Sequence, residues 1–312
     1  MLPLMTFGDD FVGPPAPPPA PDEKNQLDAP REYVSGKFVD FVTSIDRFFG
    51  TDRNYQETND SVLQLDFFRV MGYGGGNGFV PSARANIHLP MAEKKLHLLI
   101  ESDPDKNASV DPKQIQSPPF SQPSSVQSYA AALRIEKSEP NRWHLSLDGG
   151  IKFHGVIQSP TPFVRSRASL AVPLDLWNVR LSETAFWFNT IGAGETTQLD
   201  WERPISAPLM FRASSYATWL NDTQNFDLRQ DAIVFHKLDE RTALMYQVSA
   251  IGVARPSTVV TEYVVLALYR YRLHRDWMFL EVSPQLHFPR ALGFHTEKAL
   301  SLRLEMLFDE AK

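Results

Sequence analysis

The sequence predicts an all-β protein, a closed antiparallel barrel that crosses a membrane on about fourteen strands. Three observations lead to this fold class: a hydrophobic period of two from about residue 61 to residue 308, unusually long strand candidates, and connections that alternate between short and long. Membrane-crossing strands need about 9–11 residues, whereas strands of soluble sheets average about five or six. Twelve and sixteen strands are the alternatives, because an even number returns both chain ends to the same side.

Residues 1–29 are predicted to form a flexible arm. They contain the run Gly13-Pro14-Pro15-Ala16-Pro17-Pro18-Pro19-Ala20-Pro21, which favours an extended, semi-rigid backbone and supplies no core. The chain opens without the basic region and small-residue cleavage site of a signal peptide. If the protein is exported, we therefore expect this sequence to be its mature form.

Residues 30–60 are predicted to hold one amphipathic helix and a linker. Pro30 suits the first helical turn and Gly50 suits the position after the last one. Between them, apolar side chains recur at helical spacing: Val34, Phe38, Phe41, Val42, Ile45, Phe48 and Phe49. Such a stripe needs an apolar partner. The helix is therefore expected to plug the barrel, pack beneath it, lie on a membrane surface or bind another protein.

Residues 61–308 are predicted to form the barrel, followed by a tail at 309–312. The strand candidates lie near 61–72, 79–89, 94–102, 127–137, 142–153, 162–173, 176–189, 194–203, 208–220, 225–237, 241–253, 258–273, 276–288 and 297–308. In the last of them Leu302, Leu304, Met306 and Phe308 share one face, while Arg303 and Glu305 lie on the other. A strand with one apolar and one charged face fits between lipid and a polar interior.

Charged residues fall on the face opposite the apolar one in most of these strands. We expect this set to line the lumen: Arg84, Glu101, Arg134, Asp148, Arg165, Arg167, Arg180, Arg212, Arg229, Asp231, Glu262, Arg270, Arg272, Glu281, Arg303 and Glu305. With Asp66, Glu136, Asp200, Glu202 and Asp227 on the same parity, charges of both signs occur in near-equal number. Such charges can pair across a narrow lumen and fill it, or line an aqueous pore and select solutes. Without the strand register, the sequence leaves both open.

Aromatic residues concentrate near strand ends, where an amphipathic ring favours the headgroup region of a membrane. The candidates for this interface are Trp143, Trp177, Trp187, Trp219, Tyr263, Tyr269, Tyr271 and Phe288. A soluble sandwich or lipocalin-like barrel also has alternating strands. The number and length of the strands, and the one-sided aromatics, argue against it.

The closing strand and its terminal aromatic, Phe308, resemble the C-terminal signal of bacterial outer-membrane β-barrels, although four residues follow that Phe here. The resemblance covers about residues 61–308 and identifies no specific family. It implies a porin-like barrel in the outer membrane, which outer-membrane lipids surround and the barrel-assembly machinery inserts. It also implies that residues 1–60 lie in the periplasm. It also allows a periplasmic protein partner for helix 31–50.

For function, the sequence favours a channel for small hydrophilic solutes. The alternative is a non-conducting barrel that acts as an anchor or assembly partner through its N-terminal helix. An outer-membrane lipid hydrolase is a third class of function. No Gly-x-Ser-x-Gly motif accompanies any of the eight histidines, so we expect that the protein is not an enzyme. The absence of cysteine excludes disulfides, no ligand spacing supports a metal site or cofactor, and the net charge of −6 argues against nucleic acid.

Overall fold

The computed structural model describes residues 44–45, 48–49, 61–89, 96–104, 128–139, 142–154, 160–174, 176–273 and 277–309. Fourteen antiparallel strands in this part of the chain form a closed barrel. The predicted fold class and strand number are therefore confirmed. The Pro-rich arm and all but four residues of the predicted helix lie outside the described residues.

The strands follow one another without any crossover, and each pairs with its neighbours in sequence. In chain order they are β1 (Val62–Gly72), β2 (Val80–His88), β3 (Leu96–Ser102), β4 (Ser128–Glu139), β5 (Trp143–His154), β6 (Thr161–Leu174), β7 (Trp177–Phe188), β8 (Gly192–Ser206), β9 (Leu209–Leu220), β10 (Asn225–Lys237), β11 (Thr242–Val253), β12 (Val259–Arg272), β13 (Met278–Pro289) and β14 (Glu297–Asp309). One 3-10 turn, Arg290–Leu292, precedes β14.

The barrel closes where β1 pairs with β14 along its whole length, with Asp66 opposite Glu305 and Gly72 opposite Ala299. Closure pairs the backbone of every strand on both sides, which a strand surrounded by hydrocarbon requires. We call the end where β1 begins and β14 finishes the terminal end, and the opposite end the loop end. The longest connection, between Ser102 and Ser128, lies at the loop end.

The two faces of the barrel wall have opposite character. Outward side chains such as Ile135, Leu147 and Val248 are 49–58% exposed, whereas inward Arg134 and Arg270 are fully buried. Successive residues of a strand point to opposite faces, so the alternation read from the sequence becomes an apolar exterior and a charged interior. That is the inverse of a soluble barrel and suits an apolar surrounding. No helix within the described part of the chain is long and apolar enough to span a membrane.

Candidate functional site

The barrel interior is the candidate functional site. All sixteen residues predicted to line the lumen occupy inward positions of their strands, as the strand register and the burial pattern both show. Most of them are almost entirely buried; Arg84, Arg167 and Arg272 are partly exposed. These charges are therefore shielded from water, and nearby polar groups have to satisfy them.

One ion-pair group lies on β3–β6. The Arg134 Nε lies 2.7 Å from Asp148 Oδ1, and the Arg165 Nη2 lies 2.8 Å from Asp148 Oδ2. The same Arg165 Nη2 reaches Glu101 Oε1 at 2.9 Å. Two guanidinium groups thus face two carboxylates within one section of wall. Each of the four charges therefore has an opposite charge at hydrogen-bond distance on a neighbouring part of the wall.

A second group crosses the closing seam between β12 and β1. Arg303 lies between Asp66, at 2.9 Å, and Glu305, at 2.6 Å. Arg270 donates to Glu305 Oε1 at 2.6 Å and also bonds Glu281. These contacts join the first strand to the last three through charge-assisted hydrogen bonds on the inner face. They therefore stabilise the closure of the barrel in addition to the backbone ladder.

Smaller polar groups lie on the inner face of β7–β11. Arg212 pairs with Glu202 at 2.7 Å, and Arg229 Nε lies 2.8 Å from Asp231 Oδ1. Asp231 Oδ1 also accepts a bond from the Ser249 hydroxyl at 2.6 Å. Together with the two larger groups, these contacts distribute paired charges around the wall. The register that decides which residues pair could not be read from the sequence.

Two histidines also take part in this interior chemistry. The His97 Nε2 lies 3.2 Å from Glu136 Oε1, and the His287 Nδ1 lies 2.8 Å from Glu262 Oε1. Both rings are buried inside the barrel and do not lie on its outer face, where a lipid substrate would arrive. Among the residues that the structure describes, no group of three or more His, Asp or Glu side chains could hold a metal ion.

The inner face of β9–β13 departs from the expected polar character near the terminal end. Apolar side chains occupy inward positions there and form what we call the apolar seat: Met210, Ile233, Phe235, Ala243, Met245, Leu266, Leu268 and Phe279. Strands β10 and β12 are apolar on both faces over this stretch, since Val234 and Val265 point outward. The expectation of one polar face per strand is therefore wrong for this part of the wall.

Three residues of the predicted N-terminal helix cover the apolar seat. Ile45, Phe48 and Phe49 lie in helical backbone, are at most 6% exposed and belong to the same buried cluster as the seat. The Phe48 ring meets the Phe279 ring edge-on at 5.8 Å between centroids, and Phe49 meets Phe235 in the same way at 5.1 Å. Edge-to-face contacts at these distances are favourable.

A cation lies against this contact as well. The guanidinium carbon of Arg272 lies 5.4 Å from the Phe48 ring centroid and 5.6 Å from that of Phe279. Val34, Phe38, Phe41 and Val42, the other residues of the predicted stripe, lie outside the described residues. The sequence signal for the seat was available in the double-sided apolar stretches around Ile233–Phe235 and Val264–Leu268.

The predicted interface aromatics all occupy outward positions and form two bands. Trp143, Trp177, Tyr269 and Tyr271 lie near the terminal end, whereas Trp187, Trp219, Tyr263 and Phe288 lie near the loop end. Arg203 stacks over Trp177 at 5.5 Å in the first band, as a long cation does at a membrane–water boundary. In β14, Leu302, Leu304, Met306 and Phe308 point outward between these bands or within them.

Comparison with known proteins gives fold neighbours and no family. No family model and no curated protein sequence matches the chain. Among solved structures, a KdgM porin is 8% identical over 78% of this chain and 99% of its own, with a TM-score of 0.39. OprB of Pseudomonas putida is 9% identical over 83% and 97%, with a TM-score of 0.47.

A bacterial polysaccharide outer membrane secretin is similar to the same extent: 9% identity, 81% of this chain, 99% of its own and a TM-score of 0.46. At these identities the likeness concerns the fold alone. The closed barrel is established by the chain's own strand pairing, and any function has to be argued from its own residues.

Proposed function

We propose that this protein is an outer-membrane channel for small hydrophilic solutes whose own N-terminal segment closes it. The apolar exterior between two aromatic bands supports a place in a bilayer. The charged inner wall supports a route for polar solutes. The short connections at the terminal end support a periplasmic position for that end and for residues 1–60.

The observation that carries this proposal is the apolar seat. A barrel interior that served only as a permanently filled core could use ion pairs throughout, as β3–β6 do. Here eight apolar side chains instead face inward at one mouth and are covered by a segment, at Ile45, Phe48 and Phe49, that is separated in sequence from every strand it contacts. A contact between a wall and a tethered segment can open without breaking the barrel.

Release of the segment would expose the seat to water and open the interior to solutes. The paired charges of the inner wall would then border the route, and because their signs nearly balance, we expect weak ion selectivity. The channel is expected to accept both anions and cations of small size. The loop-end connections would set an additional size limit.

Uptake into liposomes tests the proposal. The full chain and a chain that lacks residues 1–60 are inserted into vesicles, and swelling is followed in neutral and charged solutes of increasing size. The truncated chain is expected to admit small solutes and the full chain to admit few. Heat modifiability, the difference in electrophoretic mobility between unheated and heated samples, shows whether both barrels are folded. A truncated, folded and inserted barrel that admits no solute would overturn the channel.

The second candidate is a non-conducting barrel that anchors or helps assemble another protein. The observation that favours it is the near-complete burial of the inward charges, since a wall section such as β3–β6 is already closed by its own pairs. Residues 31–50 would then bind a periplasmic partner. An experiment on the chain that lacks residues 1–60 distinguishes the two functions. A truncated anchor would remain impermeable to solutes and would no longer bind its partner.

An outer-membrane lipid hydrolase remains a weaker hypothesis. The rings of His97 and His287 pair with carboxylates inside the barrel, far from a lipid-facing position. Surrounding lipids and the barrel-assembly machinery are the partners that follow from an outer-membrane location. We propose no nucleic-acid partner and no cofactor.

A further inference from the structure

The outer wall of β7–β10 carries polar side chains at mid-strand, where a lipid-facing wall is usually apolar. We call Glu183, Thr197, Ser215 and Gln230, with the outward alanines among them, the polar outer patch. Glu183 lies midway along β7 on the same face as Leu181 and Trp187, and Gln230 is exposed on β10. Polar groups in the hydrocarbon region cost free energy unless they find partners.

Contacts within the patch satisfy only part of this need. The Thr197 hydroxyl donates to Glu183 Oε2 at 2.7 Å, and the Ser215 hydroxyl donates to Gln230 Oε1 at 2.5 Å. The Gln230 amide makes one long contact, 3.4 Å, to the Asp231 carbonyl oxygen. A carboxylate accepts about four hydrogen bonds and an amide nitrogen donates two, so both retain capacity for a partner outside the barrel.

The surface beside these groups is low and concave. Small side chains, Ala213, Ala217, Ala232 and Ala250, point outward between them. A concavity of about 440 Å³ lies over β8–β12, lined among others by Leu199, Leu228, Gly252 and Val260. Small residues allow two walls to approach closely inside a membrane, and polar side chains then bond across the contact.

The outer wall of β4 and β5 contrasts with this patch. On β4 and β5 the outward positions hold Leu133, Ile135, Leu145 and Leu147, all about half exposed. Acyl chains cover such an apolar surface at no cost in hydrogen bonds. They offer no hydrogen-bond partner to Glu183 or Gln230. The distribution of polar groups therefore points to protein, and not lipid, against β7–β10.

We propose that the polar outer patch binds a second copy of this chain, related by a two-fold axis parallel to the membrane normal. Such an axis exchanges the left and right edges of the patch. Glu183, an acceptor, lies towards one edge and the Gln230 amide, a donor, towards the other. The exposed Trp187 ring likewise lies on the Glu183 side, and the concavity on the Gln230 side.

The patch is self-complementary in hydrogen bonding and in shape, and together with the concavity that continues onto β11 its area reaches the lower limit for a specific contact. Five strands, β7–β11, span about 19 Å at about 4.8 Å per strand, and the apolar band of a barrel is about 25 Å tall. The two copies together would bury on the order of 1,000 Å², the lower limit for a specific contact. The contact is independent of whether the barrel conducts.

Cysteine cross-linking in native membranes tests the pair directly, because the chain contains no cysteine of its own. Ser215→Cys introduces a thiol close to the proposed axis, and Leu147→Cys introduces one at mid-strand on β5 as a matched control. Under mild oxidation the full-length Ser215→Cys protein is expected to shift to twice the mass of one chain on a non-reducing gel. The Leu147→Cys protein is expected to remain single.

A second measurement covers the case in which the thiol itself disturbs the contact. The wild-type protein is sized by light scattering in mild detergent, beside a Glu183→Leu, Gln230→Leu variant whose folding is checked by heat modifiability. We expect two chains per particle for the wild type and one for the variant. Single chains in both, a cross-link only to a different protein, or equal cross-linking at Leu147→Cys would each overturn the proposal.

Discussion

Two sections of the inner wall keep their inward side chains from water in different ways. On β3–β6 the wall pairs Glu101, Arg134, Asp148 and Arg165 with one another across four strands. On β9–β13 the wall presents the apolar seat, which Ile45, Phe48 and Phe49 cover. The first section is held by ion pairs between strands of the wall, whereas the second is packed against the N-terminal segment.

Under the proposed function, this difference would distinguish a permanent part of the barrel from a removable one. Ion pairs within the wall hold neighbouring strands together. Opening them would leave isolated buried charges, which costs free energy. An apolar contact between wall and segment has a modest cost of opening that a ligand or partner can supply. The predictions below test each half of this comparison.

The largest effect is expected at the centre of the β3–β6 group. Asp148→Asn removes the carboxylate that Arg134 and Arg165 share, and it should lower the free energy of unfolding by about 3–5 kcal/mol. Urea unfolding of the detergent-solubilised or vesicle-inserted protein measures it. Glu139→Gln is the control, because the Glu139–Arg142 pair is solvent-exposed and 3.8 Å apart, and it should change stability by less than about 1 kcal/mol. Equal effects would contradict the assignment.

A change in the segment should act on its attachment and spare the barrel. Phe49→Ala removes the ring that packs on Phe235 and should weaken the contact with the seat by about 3 kcal/mol, the lower end of the large-to-small range. Cleavage of residues 1–60 by added protease should become faster. The heat-modified mobility of the barrel should not change. Unfolding of the barrel without faster cleavage would show that the segment is part of its core.

A smaller effect is expected from the cation beside the seat. Arg272→Met retains most of the side-chain volume but removes one of the two cations over Phe48, the other being Arg270, a contribution of about 0.5–1 kcal/mol at a partly exposed site. Protease access to the segment should rise two- to fivefold, which is that free energy expressed as a ratio. Arg203→Met, which removes a cation over Trp177 on the outer face, is the matched control and should leave access unchanged.

The smallest effect concerns a turn far from both sections. In the connection between β10 and β11 the Arg241 backbone N–H donates to Asp239 Oδ1 at 2.7 Å, which lowers the pKa of this carboxyl below 3.8. A carboxyl with a depressed pKa stabilises the folded state above its ordinary pKa, and that contribution disappears as the pH falls through the folded value.

Asp239→Asn should therefore be slightly less stable than the wild type near neutral pH, and the difference should vanish as the pH falls below about 4. Thermal unfolding of the two proteins across this range measures it. A difference that grows towards acid would reverse the sign and contradict the role of the hydrogen bond.

The sequence predicted the strands well because their period is strict. With side chains alternating in most strands, the inward charges and outward aromatics followed from parity alone, and the strand candidates favoured fourteen strands over twelve or sixteen. Pairing could not follow, because it depends on register: Arg165 reaches Glu101, 64 residues away, through two intervening strands. No local pattern encodes that distance.

The apolar seat was missed for a related reason. Around Ile233–Phe235 and Val264–Leu268 both faces of the strand are apolar. The inward residues share the parity of charges such as Asp231 and Arg270, and they were not recognised as a separate apolar surface. Combined with an apolar helix elsewhere in the chain, this double-sided pattern was the available signal. The sequence also contained a signal for the polar outer patch, because Glu183 interrupts the apolar face of β7.

The central claim is that a releasable segment, held on the apolar seat, closes the channel. Single-channel conductance in a planar bilayer tests it most directly, with the full-length protein beside its Phe48→Ala, Phe49→Ala variant. We predict that the wild type is silent with rare openings and that the variant gives stable conductance steps with a small reversal potential. Silence from an inserted variant whose segment has become protease-sensitive, or equal steps from both proteins, would contradict the account.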